Sequence, residues 1–422
     1  MDLAATRDAN NPVSLTAVCC AHPMILKAAL RYGKSNNIPI LIEATCNQVN
    51  HEGGYTGMRP QDFVDQVRRI ADEEQFDLAH LILGGDHLGP NPWRKLDAAD
   101  AMDQAELMVR AFAEAGFNKF HLDASMRCAD DPEVLEEEEI ARRAARLAQA
   151  IEEVCRNRQG LALPVYIIGT EVPPPGGANH ALDEVLPTDP QAALNTIAMH
   201  RSVFHEAGLD EAFSRVVALV VQPGVEFGDV NVHQYKPENA TGLAEVLKSE
   251  PSLCFEAHST DYQSAASLEQ LARDGYRIQK VGPWLSFALR EALYSLDSIA
   301  SELDPEYPPQ ALKTAMESLM QEQPENWQDH YSGTEREQYL SRHYSYSDRI
   351  RYYWTSPKAE KAVTRLLTSL ADHAIPETLV SQYLPACWQR SMGNTLSADV
   401  LILDTIEMAL KNYPTPNPVT TA

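Results

Sequence analysis

Residues 81–90 read LILGGDHLGP. Three apolar residues run into paired glycines, and Asp86 and His87 then stand side by side ahead of Gly89 and Pro90. A short apolar run bounded by turn residues reads as a strand covered on both faces. The carboxylate and the imidazole therefore fall where that strand ends. Seven further runs end in a comparable way: VSLTAVCCAH (13–22), PILIEATCNQ (39–48), FNKFHLDAS (117–125), PVYIIGTEV (164–172), VVALVVQPGV (216–225), LCFEAHSTDY (253–262) and IQKVGPW (278–284).

Amphipathic helical patterns lie between these runs. PMILKAALRYG starts at Pro23 and stops at Gly33, and PQDFVDQVRRIADEEQ carries Phe63, Val67 and Ile70 on one face. Eight strands alternating with helices over the first 300 residues predict a closed (β/α)8 TIM barrel. An open doubly wound sheet is the competing reading, but no GxGxxG follows the first strand. After residue 300 the rhythm breaks at SELDPEYPPQALK, so residues 301–422 read as a helical C-terminal extension packed on the barrel or built into a subunit contact.

Composition narrows the function. A formal charge of −25 over 422 residues argues against nucleic-acid and anionic-membrane partners. No apolar run approaches the ~18 residues of a membrane span, and the first twenty residues lack the basic and apolar regions of a secretion signal. Seven scattered cysteines without a CxxC pair fit reduced thiols in a cytoplasmic protein.

In a TIM barrel the chemistry sits at the carboxyl ends of the strands. That rule gathers His22, Glu43 with Asn47, Asp86–His87, Asp123 with Ser125, Glu171, Gln222, His258 with Ser259, and Lys280 ahead of Gly282. The set is dominated by carboxylates and imidazoles, and buried carboxylates are costly unless paired or bound to a cation. The pattern predicts a polar cup around a divalent metal and a hydroxyl-rich substrate. His87, His258 and Glu171 are the candidate metal ligands: two imidazoles and a carboxylate suit zinc, and a more oxygen-rich shell would favour manganese or magnesium. Glu43, Asn47, Asp123, Ser125, Gln222, Ser259, Lys280 and Gly282 are the candidate substrate contacts. His121 alternates with Asp123 but reads as a packed histidine.

Three glycine-bearing segments, GGYTG (53–57), PPPGG (173–177) and the start of VGPWLSFALREAL (281–293), are candidate phosphate cradles. The third is favoured because it opens a helix after the eighth strand. In the tail, YSYSDRIRYYW (344–354) offers Ser347 as a helix cap and Arg349 and Arg351 among aromatics. Packing is the preferred reading, with an arginine reaching a phosphate as the lesser one.

Taken in order, LIEATCNQVNHEGGYTGM, LILGGDHLGPNPW, KFHLDASMRCADDP, YIIGTEVPPPGG, VVQPGVEF, FEAHSTDYQ, KVGPWLSFALREAL and YSYSDRIRYYW resemble the KbaZ/GatZ family, from about residue 15 to about residue 410. These are the so-called non-catalytic subunits of D-tagatose-1,6-bisphosphate aldolase, relatives of the class II aldolases. The resemblance implies a (β/α)8 barrel using a divalent metal, a sugar or sugar-phosphate ligand, an oligomer, and a separate catalytic aldolase subunit whose activity and stability this chain supports. It also implies that Asp86 carries the substrate hydroxyl proton and that His87 and His258 bind the metal; Glu171, ending the fifth strand where the class II pattern departs, is the second candidate catalytic carboxylate. The remaining histidine ligand of class II aldolases has no clear match in the sequence. The alternative is a stand-alone metal-dependent 4-epimerase of tagatose and fructose or their phosphates, acting by retro-aldol and aldol steps.

Overall fold

The computed structural model describes residues 12–156, 163–169 and 185–415. Eight parallel strands close on themselves: β1 (Leu15–Val18), β2 (Ile40–Thr45), β3 (Leu81–Leu88), β4 (Lys119–Leu122), β5 (Val165–Ile168), β6 (Val216–Val220), β7 (Cys254–Ala257) and β8 (Tyr276–Val281). Each pairs with its sequence neighbours, and β1 closes the ring by pairing with both β2 and β8. Helices alternate with the strands, which is the expected TIM barrel. A short antiparallel hairpin, Glu226–Phe227 against Val232–His233, follows β6.

Helix boundaries follow local chemistry. Pro23 opens helix Pro23–Asn36 at a position where a missing N–H costs nothing, and the His22 ring caps it by accepting the Met24 N–H. The helix after β3, Ala98–Ala115, stops at Gly116 in the left-handed conformation.

The barrel interior is layered by the two-residue period of its strands. Leu15, Ala17, Leu41, Ile167, Ala218, Val220, Cys254 and Ile278 pack as one apolar plug. Two residues further along three of these strands come Glu43, Glu256 and Lys280, joined by Lys119 from β4. The next step up reaches Asp86, His121 and His258. A second, larger apolar cluster fills the space between strands and helices.

Beyond helix Pro283–Leu303 the described residues form no further strand, only helices and one isolated bridge. Helix Ala398–Leu410 packs between helices Pro23–Asn36 and Pro283–Leu303. Arg31 ties it down through Asp404 (2.6 Å) and Glu407 (2.5 Å). Segment Arg349–Tyr353 forms a 3-10 turn, so Ser347 caps no α-helix; its hydroxyl bonds Asp229 instead. No described helix is long and apolar enough to cross a membrane. All seven cysteines are free thiols.

Candidate active site

Asp86 and His87 are consecutive, yet both line the cup. Strict alternation would send one of them outward. The β3–β4 register shifts between Gly85 and Leu88, and His87 takes φ +47°, the left-handed region that non-glycine residues rarely occupy. Ser259 repeats the device at φ +51°, beside His258. Backbone strain of this kind persists where the surrounding structure over-determines it, and it concentrates at functional sites.

Three imidazoles converge on Asp86. Donor atoms of Asp86, His87, His121 and His258 all lie within 4.8 Å of one another. The His87 ring meets Asp123 through Nδ1 at 2.8 Å, and Asp123 is braced by the Ser125 hydroxyl at 2.7 Å. Burial alone would raise the Asp123 carboxyl, but His87, His121 and Ser125 outweigh it and hold it far below the usual range. An ionised Asp123 requires His87 Nδ1 to donate, which leaves Nε2 as a lone pair 3.8 Å from Asp86 Oδ2. His121 is oriented the same way. Its Nε2 faces the Gly169 carbonyl at 3.0 Å and must donate to it; its Nδ1 accepts the His87 N–H and lies 3.0 Å from Asp86 Oδ1. Two lone-pair nitrogens thus face a carboxylate, each fixed by an acceptor on the opposite side of the ring. That is the arrangement through which proteins orient metal-ligating histidines. The residues present therefore fit a divalent cation, and the nitrogen-rich donor set suits a transition metal better than a purely oxygen-liganded ion.

Beneath this layer sits an ion-pair network. Lys119 bridges Glu43 and Glu256, 2.6 Å to each, with all three essentially inaccessible. Lys280 contacts Glu256 (2.9 Å), His258 Nε2 (2.9 Å) and Asp86. Burial opposes the Lys280 charge, but Asp86, Glu256 and Glu43 overcome it and push its pKa well up. Burial likewise opposes ionisation of Asp86, and the Lys280 ammonium against it helps hold it well below the carboxylate range. Asp86 is thus an ionised base with an ammonium against it. Burial first, and Lys280 second, hold His258 neutral. Gly84 makes room for the network, because a Cβ there would stand 2.5 Å from Glu43 Oε1.

Above the histidines opens a cavity of about 410 Å³, a size suited to a small metabolite. Asn47, Asp86, His87, Asp123, His258, Ser259, Lys280 and Gly282 all line it, together with His22. Four sequence expectations come out differently. Glu43 lies one layer below, neutralising Lys119 rather than meeting substrate. Ser125 acts through Asp123. Gln222 turns back on its own loop, accepting the N–H groups of Gly224 and Val225 at 2.8 and 2.9 Å. The Gly282 amide, with that of Trp284, donates to Asp261 Oδ1 at 2.9 and 2.8 Å, so a carboxylate already holds the helix end expected to cradle phosphate. Glu171 and the PPPGG segment lie outside the described residues.

His121 is the residue whose reading changes most: it is no packing histidine but the third imidazole of the cluster. The signal was present as a two-residue step from Asp123, and the same step links Lys119 to His121 and Glu256 to His258. Reading strand ends one residue at a time passes over it.

Fold and cup together define a (β/α)8-barrel protein carrying a histidine–carboxylate cluster suited to a divalent cation. Comparison with known proteins narrows the class. The chain belongs to the D-tagatose-1,6-bisphosphate aldolase subunit GatZ/KbaZ-like family, whose model matches residues 1–417. It is 56% identical over 412 residues, 98% of this chain and 96% of the relative, to a D-tagatose 6-phosphate 4-epimerase of Agrobacterium fabrum (strain C58). A crystal structure from Sinorhizobium meliloti 1021, described as a "probable tagatose 6 phosphate kinase", matches with a TM-score of 0.88 at 48% identity, covering 95% of this chain and 99% of that one.

Proposed function

We propose that this chain is itself an enzyme, a divalent-metal-dependent 4-epimerase that interconverts D-tagatose 6-phosphate and D-fructose 6-phosphate. The observation that carries the reading is the convergence of Asp86, His87, His121 and His258, of which Asp86, His87 and His258 line one cavity with His121 buried behind them. A subunit that only props up a partner has no evident need for a strained, charge-tuned cluster of this kind. The named activity of the Agrobacterium relative supports the same choice. Zinc or manganese at the three imidazoles fits the donor set, and when bound the ion supplies positive charge against the negative charge that develops on substrate oxygens.

The chain's own residues would do the rest. Asp86 takes the proton of the substrate C4 hydroxyl while the C3–C4 bond breaks. The bonding pair moves into the C2 carbonyl, giving an enediolate and a three-carbon aldehyde. The aldehyde turns, the C3–C4 bond re-forms on its opposite face, and Asp86 returns the proton to O4. Atoms and electrons balance with no co-reactant. Lys280, against Asp86, keeps the carboxylate ionised between turnovers, and Asp123 holds His87 in one tautomer.

Purified chain with its metal content measured, incubated with D-tagatose 6-phosphate, should form D-fructose 6-phosphate without ATP. Asp86→Asn should lower kcat by about 100-fold or more while keeping the bound metal. Turnover that appears only when a catalytic aldolase subunit is added would return the chain to the accessory role. ATP-dependent phosphate transfer would instead favour the kinase description of the Sinorhizobium protein.

A further inference from the structure

Two guanidiniums line the cavity, neither from a barrel strand: Arg94, exposed in the loop after β3, and Arg351, half-buried and held in place by its neighbours. Arg351 sits in the 3-10 turn Arg349–Tyr353, after all eight strands, and lines the same cavity as Asp86 and His87. Its Nη1 donates to the Ser347 carbonyl and to the Asp348 carbonyl at 3.1 Å, and its Nη2 donates to the Tyr352 hydroxyl at 2.9 Å. The guanidinium also lies over the Tyr352 ring, 4.4 Å from its centroid.

These partners orient the side chain without neutralising it. Among the described residues no carboxylate lies within ion-pair distance of Arg351. The nearest in sequence, Asp348, is engaged elsewhere, with the Ser286 hydroxyl at 2.5 Å and Arg290 at 3.5 Å. A cation withdrawn from water and left without a counter-ion is costly. One that is rigidly held and open to a cavity recovers that cost when an anion enters, and the guanidinium fork matches two phosphate oxygens at once. The helix end after β8, the usual phosphate cradle of barrel enzymes, is closed to an anion by Asp261. An acidic chain of net charge −25 has thus kept at the cavity an arginine with no carboxylate in ion-pair contact, while blocking the customary anion site.

We propose that Arg351 is the phosphate anchor of this cavity and that it makes the chain select phosphorylated over free ketohexoses. The role rests on the epimerase reading for its substrate, but not for the anion site itself. The C-terminal segment thereby completes a site whose reactive groups all come from the barrel.

The test compares wild type with Arg351→Met and Arg351→Lys, each checked for a native thermal melt. With D-tagatose 6-phosphate, Arg351→Met should raise KM at least tenfold and change kcat less than threefold. Turnover of free D-tagatose should be the same in Arg351→Met as in wild type, so the preference for the phosphorylated sugar collapses. Inorganic phosphate should compete with substrate in wild type and at least tenfold more weakly in Arg351→Met. Arg351→Lys, which keeps the charge but loses the fork, should fall between them. Unchanged KM and unchanged phosphate competition in Arg351→Met would overturn the assignment. If wild type turns over neither sugar, calorimetric binding of inorganic phosphate separates the two ideas. Loss of that binding in Arg351→Met upholds the anchor while the epimerase reading fails, and retention overturns the anchor. If Arg351→Met does not fold, Arg351→Lys decides: a threefold or greater rise in the phosphate Kd upholds the anchor and no change overturns it.

Discussion

At the scale of single residues, the site is governed by what stands behind each imidazole. His87 and His121 are each held through one ring nitrogen, by the Asp123 carboxylate and the Gly169 carbonyl, so that the other nitrogen faces Asp86. Exchanging Asp123 for Asn keeps the shape but removes the charge that fixes the His87 tautomer. Metal affinity should fall by about 10- to 100-fold, read by competition with a chelator of known affinity, while the melting temperature of metal-free protein changes little. Equal affinities in the two proteins would remove Asp123 from the orienting role. Asp86, His87 and His258 were legible as strand-end polar residues. His121 was not, because a histidine inside a run of apolar residues satisfies the packing pattern equally well.

Among the elements, the strands act as rulers. A two-residue step along β4 takes Lys119 to His121 and then to Asp123, and a step along β7 takes Glu256 to His258. Each strand therefore contributes to the ion-pair layer and to the histidine layer above it. Lys119 is central to the lower layer, since it separates Glu43 from Glu256. Lys119→Met would leave those two buried carboxylates with only Lys280, 2.9 Å from Glu256 and 3.8 Å from Glu43, to offset them. The expected loss is about 3–5 kcal/mol, measured as a lower urea midpoint at unchanged slope, and a shift under 1 kcal/mol would show that water or repacking relieves the pair. This layering was hidden in the sequence for a physical reason. Lys and Glu inside a barrel look like violations of burial until the opposite strand supplies the partner, and that partner is 76 residues away for Lys119 and Glu43.

For the molecule as a whole, pH acts through histidines that folding keeps neutral. Burial lowers His22 to about 4, and burial again lowers His343 to about 4 despite Glu317 beside it. Unfolded, each takes up its proton near pH 6.5. Both folded values are depressed, so below pH 6.5 the unfolded chain binds more protons and stability falls as pH drops from about 6.5 to about 4. Above pH 6.5 neither contributes a slope. His22→Asn retains a side-chain cap for helix Pro23–Asn36 and removes one titrating group. The fall in denaturation midpoint between pH 6.5 and 4 should therefore be shallower in this variant, and an identical profile would exclude His22 as a contributor.

The amino-acid sequence by itself determined the barrel and the end of the barrel at which the histidines and carboxylates gather. Apolar periodicity and helix caps are local, and eight alternations leave few ways to close a sheet. It also marked the Asp86–His87 pair, since a charged pair between glycines at a strand end is unusual on local grounds alone. Only the tertiary structure decided which polar residues meet. Glu43 went to Lys119, Gln222 to its own loop and Asp261 to the helix end after β8, each because its nearest partner in space was distant or ambiguous in sequence. The same closure brought His121 into the cluster and carried Arg351, remote from every strand, to the wall of the cavity. Periodicity is written in neighbouring residues, whereas charge pairing is settled by proximity across the fold.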